Sequence, residues 1–146
     1  MEDLNFLPIL VAALIPTITG MLWYGPLFKN QWIKSTGKTE EELMEGFKMP
    51  LVMGFSLVGS FFISFIVNAT IELTHKTVEA GELIYGSHHT FGHGMLHGSF
   101  FALFLVGPIL IMNGLYERKP WSNILIHLGY WVLTIGLIGG LTDAWN

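Results

Sequence analysis

The sequence predicts an all-α integral membrane protein, a single transmembrane domain over residues 1–146 with four transmembrane helices in an antiparallel bundle. Only 12% of the residues are charged and 51% are hydrophobic, whereas about 25% of the residues of a soluble domain are charged. The apolar residues fall into four long runs, each near the ~20 residues that cross ~30 Å of hydrocarbon as a helix. The first run follows Glu2 and Asp3 and is too long for a signal peptide, so we expect it to remain as a span.

The composition also excludes several classes of site and partner. The chain has no cysteine, which excludes disulfides, thiolate metal ligands and cysteine nucleophiles. Its net charge is -4 and its lysines and arginines form no basic cluster, so we expect no nucleic-acid partner. The expected partners are the lipid bilayer and either further copies of the chain or other membrane subunits.

The first predicted span covers 6–24 and contains a proline near its middle. Pro16 removes a backbone donor and is expected to kink the helix there. Ala12, Pro16 and Gly20 recur every four residues and predict a face of small residues for close helix packing. Trp23 and Tyr24 end the span in the manner of an interfacial aromatic belt.

The polar segment after the first span predicts two short helices that lie on the membrane surface. Gly37 is placed to end the first of these helices. Thr39 and Glu42 have the spacing of a capping box, which predicts the start of the second.

The second predicted span covers 50–71 and carries a row of polar residues at every fourth position. At 3.6 residues per turn this row drifts by ~40° per step and winds around the helix. It fits either hydrogen-bonding contacts between helices or one wall of a polar pathway. The row consists of Ser56, Ser60, Ser64, Asn68 and Glu72.

The third and fourth predicted spans cover 90–116 and 121–142, and both carry small residues at every fourth position. The third span has Gly94, Gly98 and Ala102, and the fourth has the GxxxG pair at 136–140. A Gly-Pro pair at 107–108 interrupts the third span.

The distribution of positive charge predicts the orientation of the four spans. Only Lys76 lies among the N-terminus, the second connection and the C-terminus. The positive-inside rule therefore places both termini and the second connection outside the cytoplasm. The other Lys and Arg residues all lie in the first and third connections, and they are Lys29, Lys34, Lys38, Lys48, Arg118 and Lys119.

Four of the six histidines lie in the stretch 87–98, at the outer mouth of the third span. His93 and His97 are four apart and share one helix face, and His89 joins that face only if the helix starts before Thr90. Three hypotheses fit: a Zn²⁺, Cu²⁺ or Ni²⁺ site, a proton relay or pH sensor, and simple hydration at the interface. The proposed metal ligands are His89, His93, His97, Glu72 and Asp143, with Asn5 at the same level and His75 and His88 as solvated loop residues.

His127 belongs to the opposite half of the membrane. It lies ~9 Å from the start of the fourth span, at a depth similar to that of Pro108. The carbonyl of Phe104, which Pro108 frees, is the expected partner of the imidazole. Alternatively, His127 continues a polar pathway or proton relay formed with Ser56, Ser60, Ser64 and Asn68.

Several motifs resemble a bacterial membrane family catalogued as domain of unknown function family 1761. The central one is the run GMLWYGPLF at 20–28, followed by Trp32. The resemblance implies a four-span bacterial membrane protein and implies no activity. The supporting features are Asn5, the Tyr-Glu-Arg turn at 116–118, Gly129 with Tyr130, and the terminal Trp145.

Three functions remain open. The leading hypothesis is a homo-oligomeric protein of the bacterial inner membrane that moves or senses a small solute, ion or proton. The second is a non-catalytic accessory or assembly subunit of a larger membrane complex. The third is a His-based metal-binding membrane protein or enzyme, which ranks last because no second catalytic constellation accompanies His93 and His97. We name no catalytic residue and no certain cofactor.

Overall fold

The computed structural model describes residues 6–74, 76–79, 82–85 and 89–145. It confirms the predicted fold, because four helices are long and apolar enough to cross a membrane. Their bounds differ from the predicted ones by only a few residues. These helices, spans one to four, are Phe6–Leu27, Met49–Leu73, Phe91–Tyr116 and Trp121–Trp145.

Span one is interrupted where the proline predicts it. Helix α1 (Phe6–Ala12) and helix α2 (Ile15–Leu22) are separated by a turn, and Pro16 lies in the first turn of α2. Because Pro16 has no N–H, the carbonyl of Ala12 loses its helical donor and the helix breaks there. A π-helical turn, Trp23–Leu27, ends the span with Gly25 outside helical geometry.

The first connection contains the two predicted short helices. Helix α3 (Lys29–Thr36) ends at Gly37, whose φ of 71° is left-handed. Helix α4 (Glu40–Met44) starts in the predicted capping box, in which the N–H of Glu42 donates to Thr39 Oγ1 over 3.2 Å and the N–H of Thr39 donates to Glu42 Oε2 over 2.8 Å. An ion pair of 2.6 Å between Lys29 Nζ and Glu40 Oε1 joins α3 to α4.

The second connection contains a hairpin that the sequence did not predict. Helix α5 (Met49–Thr74) forms span two, and strands β1 (Lys76–Glu79) and β2 (Glu82–Tyr85) follow it and pair antiparallel. Each strand is only four residues long, so its period-two pattern is too short to stand out in the sequence.

Spans three and four form the other half of the bundle. Span three consists of α6 (Phe91–Phe101), a π-helical turn (Ala102–Val106) and α7 (Gly107–Tyr116), with a proline in the first turn of α7. Span four is a single helix, α8 (Trp121–Trp145). Helix α8 packs against all three other spans and is the central helix. The buried core around it consists of Ala12, Val67, Ile71, Ala102, Ile135 and Ile138.

Candidate functional site

A seam of glycines brings α6 and α8 into backbone contact. A Cβ atom on Gly94 would collide with the carbonyl oxygen of Gly139 and with Cβ of Asp143. A Cβ atom on Gly98 would collide with the carbonyl oxygen of Ile135. The missing side chains therefore let Asp143, near the end of α8, lie directly against the first turns of α6.

Asp143 is buried between two histidines at this end of the bundle. Its side chain is 0% exposed. Its Oδ1 lies 3.2 Å from Nδ1 of His89 and its Oδ2 lies 3.0 Å from Nδ1 of His93. A carboxylate buried in an apolar bundle requires hydrogen-bond donors, and these two imidazoles are placed to supply them.

His97 extends this arrangement by one further hydrogen bond. Its Nε2 lies 3.0 Å from Nε2 of His93, and the two ring centroids are 4.3 Å apart. An ionised Asp143 only accepts, so Nδ1 of His93 carries a proton and, in the neutral ring, Nε2 of His93 accepts from His97. The result is a directed chain of hydrogen bonds from His97 through His93 to Asp143, which we call the histidine–aspartate chain.

His89 reaches the site by a route that the sequence analysis did not anticipate. Thr90 is the N-cap of α6, and its Oγ1 accepts from the N–H of His93 over 3.2 Å. With Thr90 as the cap, His89 lies outside the helix, as that condition predicted, and its Nδ1 still lies 3.2 Å from Oδ1 of Asp143. Thr90 is extended, with φ -137° and ψ 150°, so the residue before it approaches Asp143 from outside the helix.

The metal hypothesis gains no support from the part of the chain that the structure describes. There, no group of three or more His, Asp or Glu side chains is arranged to hold a metal ion. The ring nitrogens of His89 and His93 instead face separate oxygens of Asp143. Glu72 is half-buried near the end of α5, and its role as a ligand stays a prediction. Asn5, His75 and His88 lie outside the described residues.

A small cavity adjoins the histidine–aspartate chain. It has a volume of about 230 Å³ and lies between α5 and α6. His97 lines it together with Thr70, Ile71 and Phe101. His97, the last imidazole of the histidine–aspartate chain, therefore faces a space between spans two and three.

The polar row of span two lies mostly inside the bundle. Ser60, Ser64 and Asn68 are buried, whereas Ser56 is exposed. Oγ of Ser64 is buried without a hydrogen-bond partner in the described structure. A buried unpaired hydroxyl is unfavourable by about 1–3 kcal/mol, so this position suits a bound water or solute. The role of the row as a pathway stays a prediction.

A second group of polar contacts lies at the opposite end of α8, where it meets span one. Oη of Tyr24 lies 2.6 Å from Nδ1 of His127. This tyrosine, rather than the expected carbonyl of Phe104, is the described partner of His127, and Phe104 itself is 72% exposed. A comparison of depths alone therefore gave a different partner from the one that the structure shows.

Sequence analysis also missed the role of Trp23 in this contact. Its Nε1 donates to the carbonyl of Ile126 over 3.1 Å. A Cβ atom on Gly129 would lie 3.0 Å from the Trp23 ring, so the glycine makes room for the indole. The aromatic pair Trp23 and Tyr24 anchors span one to α8, and its place in an interfacial belt stays a prediction. The sequence feature that could have revealed this contact is the Gly129–Tyr130 pair, because its glycine makes room for the Trp23 ring.

The comparison with known families identifies the family of the chain. A family model described as "Protein of unknown function (DUF1761)" matches residues 7–142. The chain belongs to this family. The matched region includes both the Trp23–Tyr24 anchor and His93 and His97. No curated protein and no solved structure matches the chain. The family description names no activity, so the function has to be argued from the geometry.

Proposed function

We propose that this family member is a bacterial inner-membrane protein that takes up a proton at the histidine–aspartate chain and thereby moves or senses a small solute or ion. The observation that carries this proposal is the buried Asp143, bonded to His93, which is bonded in turn to His97. Imidazole is the side chain that changes charge between pH 5 and 8 without special perturbation. Both oxygens of Asp143 lie within hydrogen-bond distance of an imidazole, that of His89 and that of His93.

The proposed proton step uses only the side chains of the histidine–aspartate chain. A proton binds Nδ1 of His97, and the proton already on Nε2 of His97 moves to Nε2 of His93. His93 then carries protons on both nitrogens and donates to Asp143 and to His97. His97 is left neutral with its proton on Nδ1. The charge has moved one residue toward Asp143, and the cavity beside His97 is where the proton enters or leaves.

The buried residues of span two support a continuation of this path. Asn68 and Ser64 lie inside the bundle, and the hydroxyl of Ser64 is without a partner in the described structure. Ser60 follows one turn further along, and Ser56 and His127 complete the proposed pathway. Water molecules bonded to these groups would carry the proton between them.

The location and orientation belong to the same proposal. The six positive residues of the first and third connections favour a cytoplasmic position for those connections. Both termini and the histidine–aspartate chain would then face the extracytoplasmic side. The protein would sample external pH.

Proton flux into liposomes tests the proposal. The purified full chain is reconstituted around a pH-sensitive dye, and a pH step is applied. We expect flux for the wild type and its loss in His93→Gln and His97→Gln. His127→Gln removes an imidazole at the other end of α8 and tests the continuation of the pathway. An equal loss of flux there would support a pathway that includes His127, and unchanged flux would limit the pathway to the histidine–aspartate chain. Unchanged flux in the His93 and His97 variants would overturn the proposal.

The same preparations test the metal alternative. Zinc, copper and nickel are measured per chain after purification without added metal. Bound metal that disappears in His93→Gln and His97→Gln would favour a metal site, because both changes remove a nitrogen ligand.

We further propose that the protein forms a homo-oligomer through span two. The glycine faces of α6 and α8 are already used inside the chain, and Gly20 faces Tyr130. A Cβ atom on Gly54 would meet nothing within 4 Å, and Leu51, Phe55 and Val58 on the same side of α5 are exposed. This face is free for another helix. A lower native mass for Gly54→Leu would support a homo-oligomer.

The second candidate function, an accessory subunit of a larger complex, uses the same exposed face. It predicts a monomer after purification and copurification of other membrane subunits with the wild type. Loss of those subunits in Gly54→Leu, with no change in the mass of the isolated chain, would favour this alternative.

A further inference from the structure

A long cleft lies between spans one, two and four, at the opposite end of the bundle from Asp143. Its volume is about 440 Å³. Met21, Met49 and Met53 form its outer wall, and Tyr130 and Trp131 line its inner side. Met21 is 71% exposed, so the cleft opens sideways toward the surrounding lipid.

The cleft stays open between Met53 and Ile63 because α5 presents only small residues to it there. Gly59 and Ser60 line it where larger residues would close it. A Cβ atom on Gly59 would meet nothing within 4 Å. Methionine suits the wall of such a site because its flexible side chain adapts to an apolar ligand.

The dimensions of the cleft determine what can occupy it. Along α5 it runs from Met49 to Ile63, which is ~21 Å at 1.5 Å per residue. This length exceeds the hydrocarbon depth of one leaflet, which is ~15 Å, half of ~30 Å. A volume of about 440 Å³ spread over this length makes the cleft narrow, whereas a helix with its side chains is about 10–12 Å wide. An extended hydrocarbon chain fits this space and a partner helix does not.

A lysine precedes the residue at which the cleft begins along α5. Lys48 immediately precedes Met49, is exposed, and takes part in none of the ion pairs formed among the described side chains. Its carbonyl accepts from the N–H of Val52 over 3.0 Å, which fixes Lys48 at the N-terminus of the 26-residue α5. The N–H groups of the first turn add partial positive charge at the same place.

We propose that this cleft is a binding site for an anionic phospholipid. One acyl chain lies in the cleft along α5, and the headgroup phosphate lies at Lys48 and the N-terminus of that helix. The lipid fills the space between spans one and two, which the protein alone leaves open.

Lipid retention measured by native mass spectrometry tests the site. The full chain in detergent is mixed with equal amounts of phosphatidylglycerol and phosphatidylcholine that carry the same acyl chains. We expect one phosphatidylglycerol per chain to be retained in preference to phosphatidylcholine. Gly59→Leu should lower this retention about tenfold, which corresponds to two CH₂ groups losing their contacts.

Gly92→Leu is the matched control, because a Cβ atom on Gly92 also meets nothing within 4 Å and this residue lies at the other end of the bundle. It should retain lipid like the wild type, and helical circular dichroism checks that both variants fold. Equal retention by Gly59→Leu and the wild type would overturn the site.

A lysine pair tests the headgroup. Lys48→Gln should reduce the preference for phosphatidylglycerol about fivefold, the factor expected from about 1 kcal/mol per lysine near an anionic surface. Lys38→Gln, which changes an exposed lysine in the same connection, should leave the preference unchanged. Equal binding of the two lipids by the wild type would refute recognition of the anionic headgroup and with it the proposal.

Discussion

Helix α8 packs on its two main partners in different ways. Toward α6 the contact is backbone against backbone, and Gly94, Gly98 and Gly139 leave no room for a Cβ atom. Toward span one the contact is made by polar side chains. The carbonyl of Pro16 accepts from Oη of Tyr130 over 2.8 Å, and the hydroxyls of Thr19 and Thr134 are 2.9 Å apart.

The difference shows that one face of α8 is held rigidly, whereas the contact on the other face tolerates small displacements. The glycine seam fixes the distance and rotation of α8 on α6, and this rotation places Asp143 between His89 and His93. The hydrogen-bonded seam tolerates small changes, because each bond between membrane helices contributes only about 0.6 kcal/mol. Substitutions in the two seams test this contrast, and we expect their effects to decrease from the glycine seam to the hydrogen-bonded one.

Gly94→Ala should have the largest effect. The added methyl group collides with the backbone of Gly139 and with Asp143, and neither is the end of a flexible side chain. Because the colliding atoms are backbone, we expect a loss of stability above the ~1–3 kcal/mol that is typical of overpacking, or a failure to fold, measured by thermal unfolding of the purified protein in detergent.

The contrasting control is Gly20→Ala in the other seam. Its Cβ atom would lie 3.6 Å from Oη of Tyr130, an ordinary contact, so this variant should fold and unfold at or above the wild-type temperature. Equal destabilisation by the two alanines would mean that the two seams do not differ.

Asp143→Asn should have the next largest effect. The change keeps the shape of the side chain and removes the charge that accepts from His89 and His93. A hydrogen bond to a charged group contributes about 1.5–3 kcal/mol, so we expect destabilisation in that range by the same measurement. Asp143→Leu restores no hydrogen bond and should be at least as harmful. A fully stable Asp143→Asn protein would show that the charge is not required for packing.

Tyr130→Phe should have a smaller effect. It removes the hydroxyl that bonds the carbonyl of Pro16 and keeps the ring. We expect a loss of about 0.5–1.5 kcal/mol in the denaturation free energy. Tyr116→Phe, at a residue that is 90% exposed, provides the matched control and should be neutral. A loss as large as that of Gly94→Ala would contradict the adaptable character of this seam.

The Thr19–Thr134 pair should have the smallest effect. A double-mutant cycle with Thr19→Val and Thr134→Val should give a coupling energy of about 0.6 kcal/mol. Both residues also make contacts within their own helices. The cycle cancels the free energy of those contacts, so the coupling energy reports only the interaction between the two helices. A coupling above the range of a single hydrogen bond would indicate a wider polar network around Tyr130.

Much of this architecture was predictable from local patterns. The four apolar runs, the kink at Pro16 and the Thr39 capping box all follow from spacing within one segment. The sequence also placed Asp143 at the level of His93 and His97, because depth in a membrane follows from counting residues along a helix. Depth alone did not distinguish partners on different faces, which is why Phe104 was chosen for His127 instead of Tyr24.

The sequence by itself determined which segments cross the membrane, where they break and which polar groups share a level, because these depend on helix length, proline chemistry and periodicity. Only the tertiary structure decided which groups touch. The rotation of α8 depends on where Gly139 and Gly94 meet, a contact between residues that lie far apart in the chain. This packing contact buries Asp143 and leaves room for His89, which precedes the helix cap, to reach it. The same contact occupies, within the chain, the glycine faces that were predicted to pack against a partner.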